Sequence, residues 1–258
     1  MDHAEVLALF DDRMRRRTGA DGPGAPGERV GDVVRHVDEG GDWNGVVWSA
    51  LGPDTADAAI AEQVRYFTSL GREFEWKLYA HDRPDDLGAR LRAAGFTAEP
   101  EETLMIAEIR DLPTDAELPE GVHLRAVTDP AGVDLMADVH EQAFGTGGTR
   151  AREQLLPQLA KGPELVGMVV AMAGALPVCA ARMELHPGTE FASLWGGGTV
   201  PAWRGRGIYR ALVAHRARTA AERGFRYLQV DASSESRPIL QRLGFVPLST
   251  TTPYVYTP

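Results

Sequence analysis

The chain has 258 residues, 43% hydrophobic and 25% charged, enough to bury one large core or two modest ones. No apolar run approaches the ~20 residues of a spanning helix, and the opening MDHAEVLALFDDRMRRR lacks the basic-then-apolar order of a signal peptide, so a cytoplasmic protein without membrane association is expected. A formal charge of -10 argues against a broad nucleic-acid surface and favours a small cationic partner such as an amine.

In chain order, Glu5 to Arg17 reads as a short amphipathic helix, followed by the Gly/Pro-rich loop TGADGPGAPGE. RVGDVVRHV and WNGVVWSAL read as two strands, Asp54 to Leu70 as a helix capped by Asp54, and FEWKLYAH as a strand. Asp85 to Ala94 reads as a helix stopped by Gly95, and TLMIAEI as a closing strand. RDLPTDAELPEG, polar and with two prolines, suits a linker. Beyond it come the strand VHLRAV, helices near Ala131 to Phe144 and Arg150 to Leu159 separated by GTGG, and the strands ELVGMVVAMA, LPVCAARMEL and EFASLWGGGT. A helix over about Ile208 to Arg223, the strand YLQVDA, a short helix to Leu243 and VPLSTTTPYVY complete the chain. This divides the chain into an N-terminal helix and loop (1–28), a first lobe (29–112), a linker (113–120) and a second lobe (121–258).

The two lobes end alike. Asp82 and Asp231, Leu91 and Leu240, Gly95 and Gly244, and Phe96 and Phe245 each stand 149 positions apart, which suggests duplication of one α/β unit. The copies differ at one place. Where the second has TVPAWRGRGIY, the first has SALGPDTADAA, so only the second can do what that turn does.

Between Val200 and Gln229 the charge balance reverses, with seven arginines against the single carboxylate Glu222. Two of them, Arg204 and Arg206, alternate with Gly205 and Gly207 just before a helix. Glycine at that place lets backbone N–H groups and the positive end of the helix dipole approach an anion. A P-loop is excluded, because the only lysines, Lys77 and Lys161, are far away. A dinucleotide fingerprint starting at Gly205 would need glycine where Arg210 stands, which disfavours a nicotinamide-dependent oxidoreductase.

Arg204-Gly205-Arg206-Gly207-Ile208-Tyr209 resembles the pyrophosphate loop of the GNAT superfamily of N-acetyltransferases, [QR]-x-x-G-x-[GA], which follows a strand and opens a helix. The resemblance spans roughly Val122 to Tyr256. It implies a mixed α/β fold of α+β type, a twisted sheet flanked by helices that splays after the strand ending at Thr199; the first lobe is then a degenerate copy, giving a tandem arrangement. It also implies acetyl-CoA as cosubstrate, bound through the amides of Arg204, Gly205, Arg206, Gly207, Ile208 and Tyr209 and along the strand end at Thr199 and Val200. The reaction implied is acetyl transfer to an amine by direct attack, with backbone N–H groups polarising the thioester carbonyl.

Three departures from the family pattern stand out. Tyr209 replaces the last small residue, Ser233 stands where an Asn is frequent, and Leu240 replaces the Tyr that commonly protonates the leaving thiolate. Ser193 aligns with the frequent Glu base, leaving Glu184 on the neighbouring strand as a candidate base and Ser233 as a candidate proton donor. Leu240 and the eroded first lobe also leave open a non-catalytic acyl-CoA sensor or scaffold. The seven histidines contain no metal-helix pair, so no metal is expected, and no G-x-S-x-G elbow exists. The sole cysteine, Cys179, lies among strand residues and reads as a buried, inert thiol.

Overall fold

The computed structural model describes residues 1–19, 27–37, 43–145 and 147–258. Most of the Gly/Pro-rich loop and Thr146 of GTGG lie outside the described residues. Contacts group the chain into two compact units. The first comprises Met1–Met105, Asp231–Pro238 and Pro247–Pro258, and the second Ile106–Val230 and Ile239–Val246.

The first unit opens with α1 (His3–Phe10), whose first amides are capped by the Asp2 carboxylate, running on into a π-helical turn at Asp11–Arg15. RVGDVVRHV, expected as one strand, forms a hairpin of β1 (Glu28–Val30) and β2 (Val33–His36), because Gly31 takes a φ of 58° and turns the chain. Then come β3 (Gly45–Ser49), α2 (Ala56–Ser69), β4 (Phe74–Tyr79), α3 (Leu87–Ala93), β5 (Thr97–Ala98) and β6 (Glu102–Glu108), the last continuing into the second unit. Asp54 does not cap α2. The cap position is Thr55, and its hydroxyl instead accepts from the Gly52 N–H at 3.0 Å.

The sheet order of this unit is β1-β2-β3-β4, continued by β12 (Val246–Tyr256), which runs antiparallel to β4 from Thr251 to Tyr256 and also pairs with β5. Its core gathers Phe67, Phe74, Trp76, Leu87, Leu91, Phe96 and Tyr254. The parallel pairing of β3 with β4 is brief, covering Gly45 with Glu75 and Val46 with Trp76. At the next residue, Val47, the carbonyl accepts instead from Arg15 Nε at 3.0 Å. The Arg15 guanidinium lies 4.0 Å above the Tyr79 ring and donates from Nη2 to both Asp82 oxygens, at 2.8 and 2.7 Å. The N-terminal segment thus fills the opening between β3 and β4.

In the second unit β7 (Val122–Ala126), β8 (Val166–Ala173), β9 (Leu176–Leu185) and β10 (Phe191–Thr199) form an antiparallel meander, and β11 (Tyr227–Ala232) joins β10 in parallel. Alternation along the strands supplies two apolar faces. Met168, Val170, Met172 and Ala180 meet Val133, Met136 and Val139 of α4 (Pro130–Phe144) and Leu155 of α5 (Gly148–Leu159). Val169, Ala171, Cys179 and Ala181 meet Ile208 and Leu212 of α6 (Ile208–Glu222). Cys179 is buried, and burial pushes its thiol above the ordinary value, so the side chain is a packing element.

The 149-residue correspondence has a structural counterpart. After α3, the Phe96 N–H bonds to Leu91 O at 3.1 Å across Gly95 (φ 98°); after α7 (Arg237–Arg242), the Phe245 N–H bonds to Leu240 O at 3.1 Å across Gly244 (φ 105°). Both are left-handed glycine stops of the same form, and both leucines are fully buried.

Candidate active site

Strand β10 is shared between two partners for only part of its length. It pairs with β11 at Phe191, Ala192 and Ser193, opposite Tyr227, Leu228 and Gln229, whereas on its other edge it follows β9 out to Thr199. From Leu194 onward the edge toward β11 is therefore unpaired. Along the same stretch the register with β9 shifts between Trp195 and Gly198, and Gly196 has a φ of 58°, a bulge that bends the strand.

At the open end of this fork the Val200 N–H is held by Val178 O at 3.0 Å, and Pro201–Trp203 makes a single 3-10 turn. Gly205 (φ 76°) and Gly207 (φ 81°) are both left-handed, a conformation that costs a side-chain-bearing residue about 1–2 kcal/mol. Crowding is not the reason for glycine. Nothing lies within 4 Å of a Cβ at Gly205, and only Arg210 Nη2, at 3.8 Å, lies near one at Gly207. Helix α6 then starts at Ile208 with no side-chain cap, so no side chain at the cap position satisfies its leading amides, where the positive end of the helix dipole lies.

The two arginines of the turn differ in use. Arg204 donates from Nε to Thr199 O at 3.1 Å and from Nη2 to Ala143 O at 2.8 Å, bracing the end of β10 against the last turn of α4; its own N–H bonds to Pro201 O at 3.2 Å. Cations suit a helix C-terminus, where carbonyls lack partners. Arg206 is exposed, stacks over Trp203 at 4.6 Å and bonds to Ala202 O at 3.3 Å. The Tyr209 ring lies against the bulge, where a Cβ at Gly197 would come within 2.7 Å of its Cε2, and so does not cover the glycines of the turn. Burial pushes its phenol above the ordinary value. Arg216, about two turns further along α6, is buried with Nε on Leu212 O and Nη1 on Arg182 O; desolvation lowers its pKa.

Of the candidate proton-transfer residues, Ser193 and Glu184 are direct cross-strand partners in the second unit. Glu184 is paired with Arg182 at 3.3 Å, and the Ser193 hydroxyl lies 2.8 Å from His186 Nε2. Ser233 belongs to the first unit, where its hydroxyl receives the Ser236 N–H at 3.3 Å and its carbonyl the Arg237 N–H at 2.9 Å, a turn that starts α7. Leu240 is entirely buried. Neither the brace made by Arg204 nor the His186 contact is legible in the sequence, since both depend on where other elements place their backbone. A depression of about 560 Å³ lined by Pro163, Pro187, Thr189, Arg223 and Phe225 lies at the far end of α6, about 20 Å from the turn by helix length. Among the described residues no group of three or more side chains suited to hold a metal occurs.

Residues 127–245, which contain the fork, the turn and α6, match the Acetyltransferase (GNAT) family. That stretch is similar to the acetyltransferases of this family. No curated protein matches it in sequence. Among solved structures it is similar to a GCN5-related N-acetyltransferase from Kribbella flavida, at 19% identity and a TM-score of 0.70 over 98% of this chain and 95% of that one. A functionally unknown conserved protein from Staphylococcus epidermidis gives 12% identity and a TM-score of 0.70 over 96% and 97%. A tandem GNAT protein from the clavulanic acid biosynthesis pathway gives 13% and 0.62 over 88% and 80%. The GNAT fold and its tandem form, expected from the sequence, are thereby shown.

Proposed function

We propose that the second unit binds acetyl-CoA and transfers its acetyl group to a primary amine of a small cationic acceptor. The carrying observation is the union of a half-paired β10 with an uncapped α6 behind two left-handed glycines. Pyrophosphate suits the amides of Arg204 through Tyr209, apart from that of Arg204, which already has a partner; Arg206 adds exposed positive charge, and the free edge ending at Thr199 and Val200 suits the amide-bearing pantetheine arm. The amine attacks the thioester carbonyl, and thiolate departs. A thiol reference pKa of ~8.5 makes this tolerable without a dedicated acid, as Leu240 requires. Glu184 and Ser193 of this unit are the proposed proton-handling groups. The acidic chain, at -10, favours a cationic acceptor and disfavours nucleic acid. No helix among the described residues is long and apolar enough to cross a membrane.

Buried Leu240 favours a second reading, an acyl-CoA-binding sensor without catalysis. Calorimetric titration of the CoA-free chain with acetyl-CoA and CoA tests the shared premise, with micromolar binding at one site per chain expected. Gly207→Glu should abolish that binding while circular dichroism stays unchanged, because it sets a carboxylate against the pyrophosphate. Undiminished affinity in this variant would remove the turn from the site. Acetyl transfer to any amine in a CoA-release screen would then exclude the sensor.

A further inference from the structure

On the α4/α5 face of the second unit, alternation from Ala180 places Arg182 and Glu184 of β9 and, in register with Glu184, Ser193 of β10. Ser193 is the last residue of β10 paired with β11, so its hydroxyl marks the closed end of the fork. It is 2% exposed, and a proton arriving there has no direct way to water. Just past β9, His186 meets this hydroxyl, Nε2 to Oγ at 2.8 Å. His186 as a residue is half-buried and so keeps some exposed surface. Its backbone is fixed by Thr189, whose N–H and hydroxyl both donate to His186 O, at 3.0 and 2.7 Å, and whose hydroxyl accepts the Phe191 N–H at 3.1 Å. Of the charged groups around this hairpin, Glu184 pairs with Arg182 at 3.3 Å and Glu190 with Arg226 at 3.6 Å, while Glu164 and Arg223 line the depression beside Pro187 and Thr189.

We propose that Ser193 and His186 form the proton outlet of the acyl-transfer reaction, an assignment that rests on the acetyl-CoA reading above. As the amine nitrogen bonds to the thioester carbon, its proton passes to Ser193 Oγ while the serine proton passes to His186 Nε2. The C–S bond breaks with its electron pair on sulfur, leaving CoA thiolate, and the imidazolium returns its proton to water. Ser193 faces the reacting atoms, whereas His186 is a positioning residue acting through it. An imidazole with a reference pKa of ~6.5 is suited to receive a proton near neutrality, and such assistance is commonly worth ~10²–10⁴-fold in rate.

The test needs no knowledge of the acceptor, because water can replace the amine. Thiol release from acetyl-CoA by the full chain is followed from pH 5 to 9, beside calorimetric CoA affinity, for wild type, His186→Gln, Ser193→Ala and the double variant; His186→Asn replaces the glutamine if that variant fails to fold. Wild type is expected to lose rate on the acid side with a single titration. Both single variants should keep CoA affinity, fall ~100-fold and lose that acid limb, and the double should fall no further. A purely structural role would leave the shape of the pH profile intact. An unchanged limb in folded, CoA-binding His186→Gln, or a CoA-binding wild type releasing no thiol at any pH, would overturn the outlet. Failure of wild type to bind acetyl-CoA would instead remove the reading beneath it.

Discussion

Leu240 stands at the residue position where the family resemblance leads one to look for a proton-donating tyrosine, and its side chain has no exposed surface. Installing that tyrosine should therefore not restore an acid. Leu240→Tyr must enlarge a filled core and find a partner for a buried hydroxyl, at about 1–3 kcal/mol for overpacking alone. The expected outcome is a lower melting temperature with no gain in CoA release; a folded, faster variant would show that space for the ring exists. The glycines of the turn belong to the same scale and were legible from the sequence, because residue type and left-handed φ are directly linked. The direction of the Tyr209 ring was not, since it depends on the bulge that puts Gly197 beneath it.

Among the elements, the fork and the turn are held in relation by one side chain. Arg204 ties the carbonyl ending β10 to the carbonyl of Ala143 near the end of α4. Truncation in Arg204→Ala should cost about 1.5–3 kcal/mol, the range for hydrogen bonds to a charged group, and weaken CoA binding through a looser turn. Arg206→Ala, which removes only a stacked, exposed cation, should leave stability unchanged. Urea unfolding of the two variants separates them, and equal midpoints would deny the brace. Strand periodicity and helix spacing gave the elements of this unit, because each buries one face and the pattern alternates accordingly. The β1–β2 hairpin was hidden within an apparently continuous strand, since Gly31-Asp32 interrupts the apolar pattern by only two residues.

At the scale of the whole molecule, the internal repeat was visible because glycine stops and buried leucines recur at fixed distance. What fills the first unit's opening was not visible, because no local pattern reports that Arg15 will reach Val47 and Asp82. Arg15→Met should destabilise the chain by about 3–5 kcal/mol at neutral pH, as it strands Asp82 and Asp11 without their cation. Acid should act through Asp11 as well. Burial raises its carboxyl pKa, but the hydrogen bond from His81 and the Arg15 charge outweigh this and hold it below its ordinary value. The folded pKa lies beneath the unfolded one, so the contribution is complete above about pH 4 and is lost as pH falls through the folded value. Urea midpoints between pH 2 and 7 should show this acid decline in wild type and a shallower one in Arg15→Met; parallel curves would remove Asp11 as its source.

The allotment of residues 247–258 to the first unit has a consequence for synthesis. Domains generally form in the order in which they leave the ribosome. Here all residues of the second unit have been translated once Val246 is added, while the first unit, begun with Met1, still waits for the strand that lies against β4. The half made first is thus the half completed last, and a nascent chain halted after Val246 would carry all of the second unit and a first-unit sheet lacking one of its strands.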